Sequence, residues 1–311
     1  MKAAVVTHAG ETPVYSDFAE PQCAAGQQRV SVRAAAIHQV VKSRAAGKHY
    51  SSDIMFPFVA GIDGVGQSEN GQRVYFVFPA SPSGSMAERV AVPNANLIAL
   101  PDGVSDVCAA AIANPGMSSW AALTRRAQLQ PGETVLINGA TGTSGTLAVS
   151  VARYLGAGKI IVTGRNRTIL HALLSKGADA ALKLDELPDA LPDFFKQGVD
   201  VIIDYLWGDS ALAILHAARY AESRPVRFVQ VGSLSGQEIL LHSHPLRSSA
   251  LTLMGSGIGS VSVTELVACV AELLKATAES QWSIPCRPLP LRDVTSAWPD
   301  DDSRCRTVFT L

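Results

Sequence analysis

The sequence predicts an α/β chain in which a doubly wound parallel sheet is inserted between β-rich ends. Three observations predict it. From residue 134 onward, short apolar runs alternate with helical patterns, as a parallel sheet covered on both faces requires. Before about residue 100, short β-rich pieces alternate with Gly and Pro punctuation and almost no helical pattern intervenes. The last residues, 307–311, again read as a strand that returns to the first part.

In chain order, residues 3–6, 29–35, 73–77 and 87–92 read as strands of an antiparallel β unit. The stretch Gly61-Ile62-Asp63-Gly64-Val65-Gly66 is rich in turn residues, and Asp63 is expected to hold that turn. Residues 106–127 read as mostly helical, with a break expected at Asn114-Pro115-Gly116 because proline removes a helix hydrogen bond. Val135, Leu136 and Ile137 then form a buried strand. Leu147, Ala148, Val151 and Leu155 recur at helical spacing, and residues 160–163 make the next strand. A helix is expected over 168–174, a short strand over 180–182, a strand over 199–204 and a helix over 210–219. Strands over 226–231 and 251–254 end in Gly232-Ser233 and Gly255-Ser256. Residues 263–278 form an amphipathic helix.

Chemistry is most legible between the strands at 135–137 and 160–163. Ala140-Thr141-Gly142-Thr143-Ser144-Gly145 follows the first strand and opens a helix. Ala140 replaces the first glycine of the usual G-x-G-x-x-G, but the strand, turn, helix and strand context is complete. Gly142 lets backbone approach a bulky anion, and Gly145 lets the helix pack close to its strand. The helix N-terminus offers amide groups and a positive dipole end to a pyrophosphate. The other reading is a glycine turn in an α/β domain that binds no dinucleotide. The second strand ends in Thr163-Gly164-Arg165-Asn166. NAD-binding chains place a carboxylate at that corner for the ribose 2′-hydroxyl. Here Gly164 leaves space and Arg165 can pair with a 2′-phosphate, which favours NADP(H) over a merely solvated arginine.

Composition bounds the remaining possibilities. The 311 residues suit one large or two ordinary domains, and the 47% hydrophobic content suffices for sizeable cores. A formal net charge of -1 gives no reason to expect a nucleic-acid or acidic-membrane partner. No apolar run approaches a membrane span, and the N-terminus has no signal-peptide pattern, so a cytoplasmic enzyme is expected. The five cysteines are widely spaced without C-x-x-C, which suggests neither a zinc site nor a disulfide framework.

Together these residues resemble the medium-chain dehydrogenase/reductase superfamily, in its zinc-independent quinone-oxidoreductase-like branch. Residues 57–66 match its P-x-x-x-G-x-D-x-x-G stretch, and residues 131–145 match its dinucleotide turn. Gly116-Met117-Ser118-Ser119 stands where relatives contact the nicotinamide, which makes Ser118 a candidate. The resemblance implies a Rossmann-type sheet (116–261) inserted into a GroES-like β-rich catalytic domain (1–115, completed by 262–311). It also implies a homodimer formed through the last strand of the cofactor sheet. The cofactor set is then Ser118, residues 140–145, Gly164, Arg165, Asn166, Gly232, Ser233, Gly255 and Ser256. Zinc-dependent relatives carry a Cys and a His-Glu pair where this chain has His38-Gln39-Val40-Val41 and Gly61-Ile62-Asp63-Gly64, so no metal is expected.

Without zinc, another group must stabilise charge on the acceptor oxygen. Tyr50, in Gly47-Lys48-His49-Tyr50, is the first candidate, unless it packs its loop. His38, on the segment that lines the active site in relatives, is the second, unless it is structural. Lys183 stands near where many relatives turn a tyrosine toward the adenosine phosphate. Two functions fit: an NADPH-dependent, metal-free reductase of quinones or α,β-unsaturated carbonyls, or an NADPH-binding sensor with little turnover.

Overall fold

A computed structural model describes residues 1–50, 55–300, 302 and 304–311. The chain divides into two units, Met1–Met117 with Ser262–Leu311, and Ser118–Val261.

The first unit begins with β1 (Lys2–Val6), β2 (Val14–Asp17) and β3 (Gln27–Ala36), followed by helix α1 (Gln39–Ala45). Strands β4 (Phe58–Val59), β5 (Asp63–Ser68), β6 (Arg73–Val77), β7 (Arg89–Pro93) and β8 (Leu97–Ala99) follow. Burial in β3 alternates along 29–34, the mark of a strand with one face on a core. Its register to β5 shifts between Val32 and Ala34, a β-bulge. The core behind these strands gathers Ile37, Phe58, Met86, Trp298 and Phe309.

Helix α2 (Asp106–Ala121) corrects the expected break, since it runs uninterrupted through Pro115. Proline costs one backbone hydrogen bond there, but Ala109 to Ala113 are all buried, so tertiary burial outweighs the local penalty. The disturbance comes later, as a π-helical turn over Ala122–Arg126 closed by the Ala127 amide on the Ala122 carbonyl at 2.8 Å.

The second unit carries β9 (Thr134–Asn138), α3 (Thr143–Tyr154), β10 (Lys159–Gly164), α4 (Arg167–Leu174), β11 (Ala180–Lys183), α5 (Leu187–Gln197), β12 (Val201–Asp204), α6 (Gly208–Ala217), β13 (Val226–Gln230), α7 (His244–Arg247) and β14 (Leu251–Gly255). These six strands form one sheet in the order β11-β10-β9-β12-β13-β14, every pair parallel. The order reverses between β9 and β12, the switch point at which such sheets take ligands outside their strand C-termini. Leu136, Ile161, Phe195, Ile202 and Phe228 fill one side of this sheet.

Helix α8 (Val263–Ser280), closed by a Ser262–Glu265 capping box, leads back into the first unit. There β15 (Cys286–Pro290) pairs in parallel with β16 (Arg306–Thr310), and β16 pairs antiparallel with β3. No helix among the described residues is long and apolar enough to cross a membrane.

Candidate functional site

The second unit builds a cradle at the C-terminal edge of its sheet. Strand β9 ends in Asn138, and Gly139 turns the chain at φ +88°. A Cβ at Gly139 would lie 2.8 Å from the Leu206 side chain, so both conformation and space require glycine. The reading that began the motif at Ala140 missed this position. The amides of Gly139 and Ala140 both donate to the Thr163 carbonyl, at 3.2 and 2.8 Å, which ties the turn to β10. Gly142 is the N-cap of α3 and, as a glycine, supplies no side-chain cap to the helix start. Among the described residues, a Cβ built on Gly142 meets no atom within 4 Å beyond its own chain neighbours. One on Gly145 would sit 2.4 Å from the Gly139 carbonyl oxygen. Helix and strand therefore approach each other only because position 145 is bare.

The end of β10 is shaped in the same way. A Cβ on Gly164 would lie 2.4 Å from Thr141 Cγ2, so Gly164 admits the turn's own threonine. Arg165 is exposed and makes no ion pair among the described residues. Asn166 caps α4, its side-chain oxygen accepting from the Ile169 amide at 3.1 Å. Lys183, opposite Gly164 in the β10–β11 register, is paired with Asp185 at 2.6 Å. Gly232 and Ser233 follow β13, Gly255 ends β14, and Ser256 follows it. The Gly255 carbonyl accepts from Arg126 Nε at 2.7 Å, and the Ser256 amide donates to the Gln230 carbonyl at 2.8 Å. Residues 140–145, 164–166, 232–233 and 255–256 thus all lie at one edge, because parallel strands end on one side.

Beneath the cradle lies a buried polar network that the sequence reading did not anticipate. Asn138 Nδ2 donates to Asp204 Oδ1 at 2.8 Å and to Ser210 Oγ at 2.9 Å, while Thr163 Oγ1 donates to Asn138 Oδ1 at 2.6 Å. The amides of Leu206 and Trp207 also donate to Asp204, each at 3.0 Å. Burial pushes the Asp204 carboxyl above its ordinary range, and these donors oppose that rise. The signal was present: the apolar strands β9 and β12 end in Asn138 and Asp204, and Thr163 is the last residue but one of β10 between them in sequence. Tyr205 follows in the same loop. Burial pushes its phenol up to about 12, partly offset by the hydroxyls of Ser118 and Ser119. Ser118 itself lies within α2, at the first residue of the second unit.

In the first unit, His38 is only 2% exposed and is the N-cap of α1, with no side-chain capping bond. Its Nε2 lies 3.3 Å from Asp63 Oδ2. Tyr75, fully buried, donates its hydroxyl to the same oxygen. Asp63 opens β5 and turns inward, so its carboxylate serves His38 and Tyr75, where the sequence suggested that it holds the glycine turn. Burial, reinforced by Asp63, raises the Tyr75 phenol well above 10. Tyr50, by contrast, is 73% exposed and stacks on His49 with ring centroids 4.4 Å apart. Residues 51–54, which continue its loop, lie outside the described residues.

Comparison with known proteins agrees with this architecture. Residues 145–276 match the zinc-binding dehydrogenase family. A protein of Emericella nidulans named probable NADPH-dependent quinone reductase tdiC is 31% identical over the whole of both chains. The quinone oxidoreductase of Thermus thermophilus, solved also in complex with NADPH, is 26% identical, superimposes with a TM-score of 0.82 and is covered over 100% of both chains. A mycobacterial quinone oxidoreductase shares the fold at a TM-score of 0.85 and 21% identity, again over 100% of both chains. The chain belongs to the medium-chain dehydrogenase/reductase family, among its quinone-oxidoreductase-like members.

Proposed function

We propose that this chain is an NADPH-dependent reductase that transfers hydride, without metal or flavin, to a quinone or an α,β-unsaturated carbonyl. The observation that carries the reading is the corner after β10, where Gly164 and exposed Arg165 stand in place of a carboxylate. Full-length likeness to a protein named as an NADPH-dependent quinone reductase supports it.

The cradle suits the cofactor. Open space over Gly142 and the N-terminus of α3 receive the pyrophosphate. Arg165 pairs with the 2′-phosphate, Asn166 holds the backbone of that corner, and Ser118 faces the nicotinamide. Gly232, Ser233, Gly255 and Ser256 line the same edge. Bound NADPH supplies the hydride. The acceptor oxygen then gains charge and needs a proton donor, for which Tyr50 and His38 are the two candidates. The protein acts as a homodimer joined through β14.

Zinc, which the family description implies, does not fit. Where relatives hold it, this chain offers His38 and Asp63 with a tyrosine as the third neighbour. Among the described residues no three of His, Cys, Asp and Glu are grouped to hold a metal ion.

The test is consumption of NADPH with a panel of quinones and enones, with and without a chelator. Turnover that survives chelation is expected. Tight NADPH binding with no turnover on any acceptor would instead favour a sensor.

A further inference from the structure

The corner after β10 carries more charge than Arg165 alone. Arg165 and Arg167 flank Asn166 and are both exposed, and Lys183 ends the neighbouring strand β11. Lys183 is the register partner of Gly164. Partners in a parallel pair present their side chains on the same face of the sheet. A Cβ on Gly164 would lie 2.4 Å from Thr141 Cγ2, so that face is the one carrying the turn at 140–145. Lys183 therefore stands on the cradle face. Its Nζ lies 2.6 Å from Asp185 Oδ2, and the two side chains are 32% and 68% exposed. The Lys183 ammonium bonded to it holds the Asp185 carboxyl below its ordinary range, and Arg167 lowers it further. Glu186, the next acid, accepts from the Lys183 backbone amide at 2.9 Å. Asp185 also lines a cavity of about 480 Å³ with Leu184, Asp209, Ser210 and Ser235. So exposed an ion pair adds little to stability, yet it borders space of ligand size.

We propose that Lys183 is a second residue for the 2′-phosphate and that Asp185 competes with that phosphate for it, so that this ion pair sets how far NADPH is preferred to NADH. The inference rests on the NADPH reading above. A phosphate monoester carries about 1.5 to 2 negative charges at neutral pH and offers three acceptor oxygens, against a single charge on the carboxylate. Lys183 gains by exchanging the weaker anion for the stronger one. Asp185 is then left facing a like charge, a cost that NADH does not meet. With NADH the ion pair stays closed, and the Asp185 carboxylate can accept from the ribose 2′-hydroxyl, the role an acid plays at this corner in NAD-binding chains. One residue of the pair thus draws the phosphate and the other opposes it. Arg165, with no such acid on it, discriminates without that opposition.

Calorimetric titration of the full chain with adenosine 2′,5′-bisphosphate and with adenosine 5′-monophosphate tests this, because the two probes differ only in the 2′-phosphate. Wild type, Lys183→Gln, Asp185→Asn and the double variant are compared at one ionic strength. Wild type is expected to bind the bisphosphate more tightly. Lys183→Gln should weaken the bisphosphate by about tenfold or more and leave the monophosphate unchanged. Asp185→Asn should tighten the bisphosphate about two- to fivefold, and this gain should be lost in the double variant. A Lys183→Gln variant with the wild-type ratio of the two affinities, or an Asp185→Asn gain undiminished without Lys183, overturns the proposal and leaves the NADPH reading standing on Arg165. Equal affinity of wild type for the two probes overturns both.

Discussion

A Cβ on Gly145 would lie 2.6 Å from the Ala140 Cα, whereas one on Gly142, three residues earlier, would meet nothing within 4 Å among the described residues beyond its own chain neighbours. The two glycines of one turn therefore answer to different demands. The fold needs Gly145 bare, whereas no packing among the described residues requires Gly142 to be bare, which is what the proposed pyrophosphate site would use. Gly145→Val is expected to destabilise the protein by ~1–3 kcal/mol or more through overpacking. Gly142→Val should leave the unfolding temperature near that of wild type while NADPH binding, followed by fluorescence, is lost. Equal thermal losses in the two variants would show that the turn is not divided in this way.

Arg165 is exposed, and among the described residues no acid competes for it. Its removal should therefore cost little stability. Arg165→Ala is expected to weaken NADPH by ~1.5–3 kcal/mol, the scale of a charge-assisted hydrogen bond, and to leave NADH affinity unchanged. Parallel titrations with the two cofactors measure this directly. Wild-type protein that binds both equally would remove the assignment of NADPH.

What the sequence made legible follows from how local each signal is. The sheet of the second unit was readable because Val135 to Ile137 and Val201 to Ile203 are short apolar runs closed by polar or glycine turns, and burial on both faces demands such runs. The turn at 140–145 was readable because its spacing is fixed by backbone geometry. The path of α2 through Pro115 was not, since burial of its alanine-rich face outweighs a local hydrogen-bond loss that propensity alone takes as decisive. Nor was the cluster of His38, Asp63 and Tyr75. Its members are 25 and 12 residues apart, and only the pairing of β5 with β6 and the entry into α1 brings them together.

Two buried tyrosines also set an alkaline limit. Burial, together with Asp63, holds the Tyr75 phenol well above 10, and burial pushes Tyr205 up to about 12. In the unfolded chain both ionise near pH 10. Above that pH the folded state binds more protons than the unfolded one, so stability falls as pH rises. The contribution is complete below about pH 10 and is lost as pH climbs through the folded values, at up to about 1.4 kcal/mol per pH unit for each phenol. The urea midpoint should drop between pH 10 and 12. Of the six tyrosines, two should give tyrosinate absorbance only on unfolding. Six that titrate together in the folded protein would contradict the burial argument.

Among the described residues, strand β14 ends the sheet order and pairs only with β13, and Leu253 in it is 38% exposed. An edge with unpaired backbone groups and an apolar side chain suits pairing with a second copy. Light scattering should give twice the 32.7 kDa chain mass for wild type and the single-chain mass for Leu253→Lys. A wild-type protein that runs at 32.7 kDa at all concentrations would end the dimer reading.

Tyr50 and His38 remain distinct candidates for the proton, one 73% exposed and the other 2%. Tyr50→Phe removes a hydroxyl and keeps the ring that stacks on His49. If that hydroxyl donates to the oxygen that gains charge, the loss falls on kcat rather than on NADPH affinity, because the bond matters most in the transition state. A donor of this kind is worth ~10²–10⁴-fold. The loss should be larger on enones, which need a proton once hydride has arrived, than on quinones, whose reduced oxygens take protons from water. Turnover equal to wild type on both substrates would remove Tyr50 from the chemistry and leave the donor's role to His38. His38→Gln should then show the enone-selective loss that Tyr50→Phe lacked.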